Sequence, residues 1–237
     1  MNLTEEIKEK AIEHGKEVSP KECCGLVGVV KGKNRYFACK NIAEGPEEHF
    51  IIDPDDYMKA EDKGEIIAVI HSHPFHAPTP SQADLVACEK SGLPWFIFNP
   101  ENREWASCKP EGFVLGYVGR RFSHGIVDCF SLLRDWYKKE LGIEFTDYER
   151  RDEWWHRGEN MYLDNFKKEG MRVVTGSEIK YGDIILMNLE SPVPNHGAIY
   201  IGGQMILHHV QGRLSSRDVY GGYYMKNTAK VIRHESR

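Results

Sequence analysis

The stretch that decides the first half of the chain lies at residues 66–84 and reads IIAVIHSHPFHAPTPSQAD. Its first five residues are aliphatic and β-prone, which predicts a buried strand leading directly into His71. His71 and His73 stand two residues apart at the end of that strand, so both side chains project to the same face. Two imidazoles on one face are a natural beginning for a zinc site, which also needs a third protein ligand and an open position.

Asp84 is the candidate third ligand. It lies one turn into a helix that Ser81 is predicted to cap, after a Pro-rich loop that can fold back towards the histidines. Glu22, just before the apolar run Cys24–Val30, is the candidate general base for water at such a site. A different interpretation makes the histidines a surface strand pair and Asp84 the partner of Ser81 in a capping box. The residues by themselves leave both interpretations open.

The spacing of these residues resembles the JAMM (MPN+, JAB-type) zinc isopeptidases, which carry a glutamate before an apolar strand, then HxHP, a serine and an aspartate. The resemblance implies an MPN/cytidine-deaminase-like mixed sheet with flanking helices. It implies one zinc ion held by His71, His73 and Asp84. It also implies that Glu22 moves protons from water to the leaving amine and that Ser81 steadies the oxyanion.

A second candidate site follows a turn-rich stretch at residues 109–121, after which helices come first and strands last. Cys129 follows Asp128 at the start of an amphipathic helix, where the helix dipole and free backbone N–H groups favour a thiolate. His196 begins an apolar strand, and His208 lies on the next strand after a Gly-Gly turn. So short a turn can place His208 beside the ring of His196. The alternative is that Cys129 is a buried structural thiol.

Four motifs in this half resemble the NlpC-type, papain-like cysteine peptidases: HGIVDC at 124–129, GDII at 182–185, HGAIYIG at 196–202 and ILH at 206–208. The resemblance implies a papain-like fold with helices followed by an antiparallel sheet. It implies that Cys129 is the nucleophile, His196 the base and His208 the third polar residue. His208 is preferred to His209 because it lies twelve residues after His196, the usual gap in the family that the motifs resemble. Strand alternation would also send His209 to the opposite side. Cell-wall members of that family cleave amide bonds in peptidoglycan stem peptides.

The two domains in this order resemble the phage tail assembly protein K family, the lambda-like tail tip component. The resemblance implies an α+β protein with a metallopeptidase-like domain at residues 1–112, a linker at 113–118 and a cysteine peptidase domain at 119–237. It implies synthesis in the host cytoplasm, a place at the tail tip and tail tip proteins as partners. The substrate would be a peptidoglycan stem peptide or a tail protein. The alternative is a structural assembly or plug protein with vestigial catalytic sites.

Composition narrows the function classes further. The 237 residues are 41% apolar and 28% charged, which is ordinary for a globular protein with a sizeable core. A formal charge of −5 argues against nucleic acid as a partner. The longest aliphatic run, Ile66–Ile70, is too short for a membrane span, and Glu5 and Glu6 stand where a signal peptide needs apolar residues. We therefore expect the chain to stay where it is made, with its six cysteines free of disulfides.

Overall fold

The computed structural model describes residues 2–175 and 178–237. The chain divides into two compact units, Met1–Val114 and Leu115–Arg237, each with its own sheet and core. Among the helices of the two described ranges, none combines the length and apolar character that crossing a membrane requires.

The first unit is built on a five-stranded mixed sheet. Its strands are β1 (Cys24–Val30), β2 (Lys33–Cys39), β3 (Glu65–Ser72), β4 (Trp95–Phe98) and β5 (Trp105–Cys108). Its helices are α1 (Glu5–Val18), α2 (Pro54–Glu61) and α3 (Gln82–Ser91). The strand order is β2–β1–β3–β4–β5, in which only β3 and β4 run parallel.

Both faces of this sheet are covered. Along β1, Val27 packs into a core that α1 closes, whereas its neighbour Leu26 packs into a second core with residues of α2 and α3. A strand buried on both sides needs apolar residues at every position, which is why β1 and β3 read as continuous apolar runs. β3 extends through Ser72, so His71 lies inside the strand, opposite Cys24 on β1.

The β-prone residues 49–52 predict a further strand of the first unit, and this prediction is wrong. The segment from His49 to Ile52 forms only an isolated bridge, between Asn41 and Ile52. The side chain of Asn41 replaces the expected ladder: its Nδ2 donates to the carbonyl of His49 at 3.1 Å, and its Oδ1 accepts from the backbone N–H of Ile51 at 3.1 Å. These side-chain bonds satisfy the backbone groups that a strand would have paired.

The second unit places its main helix before a six-stranded sheet. The helices are α4 (Cys129–Leu141), α5 (Met161–Asn165) and α6 (Gly222–Lys226). The strands are β6 (Met171–Val173), β7 (Ile184–Met187), β8 (His196–Tyr200), β9 (Met205–His208), β10 (Ser216–Val219) and β11 (Thr228–His234). The order is β10–β9–β8–β7–β11–β6, antiparallel throughout. The predicted α+β class is confirmed.

The amphipathic helix α4 anchors this unit. Leu133 and Trp136 are buried in the same core as Ile199 of β8. The helix begins at an Asp128 N-cap and ends where Gly142 adopts a left-handed φ of 67°. The sequence also predicts a helical segment at residues 152–157. Only a 3₁₀ turn, Trp154–His156, forms there, and Glu153 at its start is left-handed with a φ of 51°.

Two candidate active sites

Three side chains of the first unit meet at one point. Nε2 of His71 lies 3.2 Å from Nε2 of His73. The two carboxylate oxygens of Asp84 complete the group, with Oδ1 3.2 Å from His71 Nε2 and Oδ2 3.4 Å from His73 Nε2. His71 is fully buried. The cluster therefore offers two imidazole nitrogens and a carboxylate as potential ligands of a single ion.

The start of α3 brings Asp84 into this cluster. Its Oδ2 accepts from the backbone N–H of Ser81 at 2.7 Å, and Ser81 Oγ accepts from the backbone N–H of Asp84 at 3.1 Å. This is a capping box, and it forms together with the histidine cluster rather than in place of it. The cap fixes the carboxylate at the helix start, so its oxygens are held towards the histidines.

Backbone contacts orient the histidine loop. Nδ1 of His73 lies 3.2 Å from the carbonyl of Ala77, to which it donates, and Nε2 is the ring nitrogen that faces the cluster. The amide of Asn99 donates to the carbonyls of His73, Pro74 and His76 at 3.1, 3.4 and 3.0 Å. Asn99 was not identified from the sequence, where it is an ordinary polar residue after a strand.

The cluster is strongly polarised. Burial acts to raise the pKa of Asp84, but hydrogen bonds from His71 and His73 outweigh it and hold that pKa well below its usual range. Burial lowers the pKa of His71. The pKa of His73 is raised, because its hydrogen bond and charge interaction with Asp84 exceed the opposing effect of burial.

Glu22 is buried beside this group, two residues before β1 begins. Burial raises the pKa of its carboxyl to about 8, His73 acts to lower it and the charge of Asp84 adds to the rise. Glu22 therefore tends to hold a proton near neutral pH. A cation placed in the cluster would lower that pKa and free the carboxylate.

In the second unit, Cys129 is the first residue of α4 and opens into a cleft of about 560 Å³. The thiol is half-buried, with Sγ 3.3 Å from the hydroxyl of Tyr162. His196 lines the same cleft. Tyr162 was not identified from the sequence, because the short helix α5 that carries it has no motif of its own.

Two histidines and an aspartate stand in series behind that cleft. Nε2 of His196 lies 3.1 Å from Nδ1 of His208, and Nε2 of His208 lies 3.0 Å from Oδ2 of Asp218. The β8–β9 hairpin sets Ala198 opposite His208 and so brings the two rings together. Asp218, on β10, is a further residue that the sequence analysis missed.

His209 differs from its expected position. It lies just beyond the end of β9, where strand alternation no longer applies, and it lines the cleft together with Cys129 and His196. It is fully buried, and its ring meets Phe122 edge-on at 5.1 Å between centroids. It makes no hydrogen bond to the Asp218 series, which supports His208 as the partner of His196.

The expected thiolate is not what the surroundings of Cys129 favour. Burial, and after it the charge of the N-cap Asp128, raise the pKa of the thiol to about 11. The anionic cap offsets the helix dipole on which the prediction rested. Burial, with His208 and His209 nearby, lowers the pKa of His196 to about 3. At neutral pH Cys129 therefore keeps its proton, and His196 is an uncharged imidazole with one ring nitrogen free to accept a hydrogen bond.

A buried ion pair fixes the start of α4. Arg150 Nε donates to Asp128 Oδ2 at 2.6 Å, and both side chains are 3% exposed. Asp128 also accepts from the backbone N–H groups of Gly125 and Ser131 at 3.0 and 2.8 Å. Arg150 was missed because it lies in an irregular segment without periodicity.

Comparison with known families agrees with the two units. The family of prokaryotic homologs of the JAB domain matches residues 4–109, and the NlpC/P60 family matches residues 117–233. The fold and the two clusters thus define a protein with a JAB-type domain followed by an NlpC/P60-type domain, in the predicted order.

Two relatives match most of the chain. Tail tip assembly protein K of Escherichia phage N15 is 37% identical over 227 residues, covering 94% of this chain and 91% of that protein. Tail tip assembly protein K of Escherichia phage lambda is 40% identical over 183 residues, covering 77% and 89%. The chain belongs to the tail tip assembly protein K family, which confirms the resemblance seen in the sequence.

Among solved structures, protein DSY2949 from Desulfitobacterium hafniense is 25% identical and covers 44% of this chain and 79% of its own, with a TM-score of 0.38. So low a score supports no structural argument.

Proposed function

We propose that this protein is a tail tip assembly protein with two peptidase centres, one in each unit. The observation that carries the proposal is the shared cleft of Cys129 and the uncharged His196, with His208 bonded behind it. We assign residues 1–112 to a metallopeptidase-like domain, 113–118 to a linker and 119–237 to a cysteine peptidase domain. The names of its relatives support tail tip proteins as partners and a place at the tail tip. Synthesis in the host cytoplasm is part of the proposal.

In the second unit, His196 takes the proton of Cys129 as sulfur attacks the carbonyl carbon of an amide bond. The imidazolium then gives that proton to the leaving amine, and water hydrolyses the thioester that remains. His208 holds the ring of His196 during both transfers. Aromatic side chains, among them Trp155 and Tyr223, line the cleft and suit a peptide chain. The substrate class we propose is a peptidoglycan stem peptide or a tail protein.

The cluster of the first unit fits a zinc ion. Tetrahedral zinc with bonds of roughly 2.0–2.2 Å sets its ligand atoms roughly 3.3–3.5 Å apart, close to the 3.2–3.4 Å that separate the nitrogens and oxygens here. His71, His73 and Asp84 would hold the ion. When bound, zinc supplies a Lewis acid that acidifies water.

The remaining residues of this centre handle protons and charge. Glu22, freed by a nearby cation, would accept a proton from water and pass it to the leaving amine. Ser81 Oγ accepts from the backbone of Asp84, so its hydroxyl hydrogen can donate to a developing oxyanion. The bond cut would be an isopeptide or peptide amide.

Separate Cys129→Ala and His71→Ala variants test the proposal, with Cys108→Ala, a half-buried cysteine of β5, as the matched control. Purified wild-type protein, the variants and the control are assayed for peptidoglycan turnover and for processing of tail proteins. We expect each variant to lose one activity that the control keeps. Unchanged activity in both variants would defeat the proposal.

A second function is a structural assembly or plug protein with vestigial sites. The relatives are named as assembly proteins, and Leu214, Val219 and Tyr223 of the second unit are each more than half exposed, as a contact surface requires. If phages with Cys129→Ala and Glu22→Ala still form infectious tails while truncated chains do not, this second function is correct.

A further inference from the structure

Asp218 reaches the His196–His208 pair from the edge strand of the sheet. On β10, Ser216 pairs with His208 and Asp218 pairs with Ile206, so the carboxylate is a diagonal neighbour of the imidazole. Besides the contact with His208, Asp218 Oδ2 accepts from the hydroxyl of Tyr224 at 3.2 Å and from Arg213 Nη2 at 3.3 Å. Three donors therefore hold this carboxylate in place.

These contacts determine where the protons lie. An ionised carboxylate only accepts hydrogen bonds, so the proton in the contact with Asp218 belongs to His208 Nε2. A neutral imidazole has one N–H, so His208 Nδ1 must be an acceptor. The 3.1 Å contact is then donated by His196 Nε2–H. The nitrogen left without a proton on His196 is Nδ1.

We propose that Asp218 is a positioning residue of the cysteine centre, which sets the tautomers of His208 and His196 in series and so leaves His196 Nδ1 ready to take the proton of Cys129. The inference rests on the proposed roles of Cys129 and His196. Asp218 acts only through His208, whose ring lies between it and His196.

The neighbouring charges define what Asp218 contributes. When His196 becomes positive, the Asp218 carboxylate stabilises that charge through the intervening imidazole. His208 and His209 disfavour positive charge on His196, and Arg213 disfavours it on His208. Tyr224 is a neutral donor that also packs edge-on against His208, with centroids 4.8 Å apart. Among these groups, Asp218 alone acts to raise the pKa of His208.

The test measures thiol chemistry, so it needs no substrate. Cys129 in the full-length protein is alkylated with iodoacetamide across a range of pH, and peptide mass mapping gives its rate separately from the other cysteines. The variants are Asp218→Asn, which keeps shape and removes charge, and Asp218→Glu, which restores charge. Asp164→Asn, an exposed aspartate on α5, is the control. Circular dichroism checks folding.

We expect Asp218→Asn to slow alkylation at neutral pH about tenfold, which corresponds to one pKa unit of basicity. The pH profile should shift accordingly, Asp218→Glu should recover most of the rate, and Asp164→Asn should match the wild type. Nitrogen-15 spectra should show Nε2–H on both histidines of the wild type and a mixture in Asp218→Asn. A folded Asp218→Asn protein with wild-type profile and tautomers overturns the inference.

Cleavage assays separate this inference from the proposed function. If no amide is cleaved but Asp218→Asn shifts the pH profile of alkylation, the positioning role of Asp218 stands and the peptidase proposal fails. If amides are cleaved and that profile does not shift, the peptidase proposal stands and the positioning role of Asp218 fails.

Discussion

The two candidate sites use the same parts in opposite ways. Each combines two histidines with one aspartate at distances between 3.0 and 3.4 Å. In the His71–His73–Asp84 cluster the two Nε2 atoms and the carboxylate converge on one point. In the His196–His208–Asp218 relay the groups stand in a row. The difference lies in which atoms meet, and the spacing of the groups hardly changes.

Hydrogen-bond capacity explains why one arrangement suits a metal ion and the other does not. A neutral imidazole has one donor and one acceptor, and a row uses each of them once. In the cluster, two ring nitrogens and a carboxylate are turned towards one point, where all three can be ligands of a single cation. The fold decides which arrangement forms: His71 lies on β3 and His73 directly follows the last residue of that strand, whereas His196 and His208 lie on paired strands.

The largest effect, on bound zinc, should follow from removing one side chain of the His71–His73–Asp84 cluster. Asp84→Ala removes one ligand, so we expect bound zinc to fall from a stoichiometric amount to background in elemental analysis of the purified protein. Ser81→Ala removes the bond that Ser81 Oγ accepts but keeps the backbone N–H that holds Asp84 Oδ2. It should cost about 1 kcal/mol of stability and leave the metal in place.

The His196–His208–Asp218 relay supplies a second control for the zinc measurement. Asp218→Ala breaks the relay and should not change the zinc content. Zinc retained by Asp84→Ala, or absent from the wild-type protein, would contradict the metal assignment. The two sites would then differ only in how their side chains are arranged.

The sequence predicted those parts of both sites that depend on local spacing. The pair His71 and His73 follows from strand alternation, the Ser81–Asp84 contact from a capping pattern, and the His196–His208 contact from a short hairpin. Cys129 was correctly placed at a helix start, but its ionisation was not, because the surrounding burial and the charge of its own cap cannot be read from position alone.

The residues that were missed depend on long-range pairing. Asp218 reaches His208 only through the β9–β10 register, and its strand has alternating exposure without an apolar run. Arg150 meets Asp128 from an irregular segment 22 residues away. β11 was missed because its sequence, TAKVIRH, mixes polar and apolar residues. Side chains that act across such pairings leave no periodic pattern in the sequence.

A smaller effect, on the stability of the second unit, should follow from breaking the buried ion pair at the start of α4. Arg150→Ala leaves the Asp128 carboxylate buried and unpaired at the start of α4, which should destabilise the second unit by about 3–5 kcal/mol. Arg134→Ala breaks a more exposed pair with Asp147 at 3.0 Å and should cost at most about 1 kcal/mol.

Hydrogen exchange resolved by peptide, followed through denaturant, would report each unit separately. A chelator should weaken the first unit and leave the second unchanged, whereas Arg150→Ala should do the reverse. Equal costs for the Arg150 and Arg134 variants would show that the buried pair does not fix the cysteine centre.

The smallest effect is the acid sensitivity of the relay. The pKa of His196 is about 3 in the folded protein against a usual value near 6.5, so the unfolded chain binds this proton first. Its contribution to stability is complete above pH 6.5 and is lost as pH falls towards 3, by about 2 kcal/mol between pH 7 and pH 5. Exchange protection of β8 should fall accordingly, and His196→Asn should remove this part of the pH dependence.

In the metal-free His71–His73–Asp84 cluster the pKa values of His71 and His73 shift in opposite directions, so their contributions to the pH dependence of stability partly cancel. Acid should therefore destabilise the second unit, which holds the His196–His208–Asp218 relay, before it destabilises the first unit, which holds the His71–His73–Asp84 cluster. A His196→Asn protein with the wild-type pH dependence would show that the buried imidazole is not the group responsible.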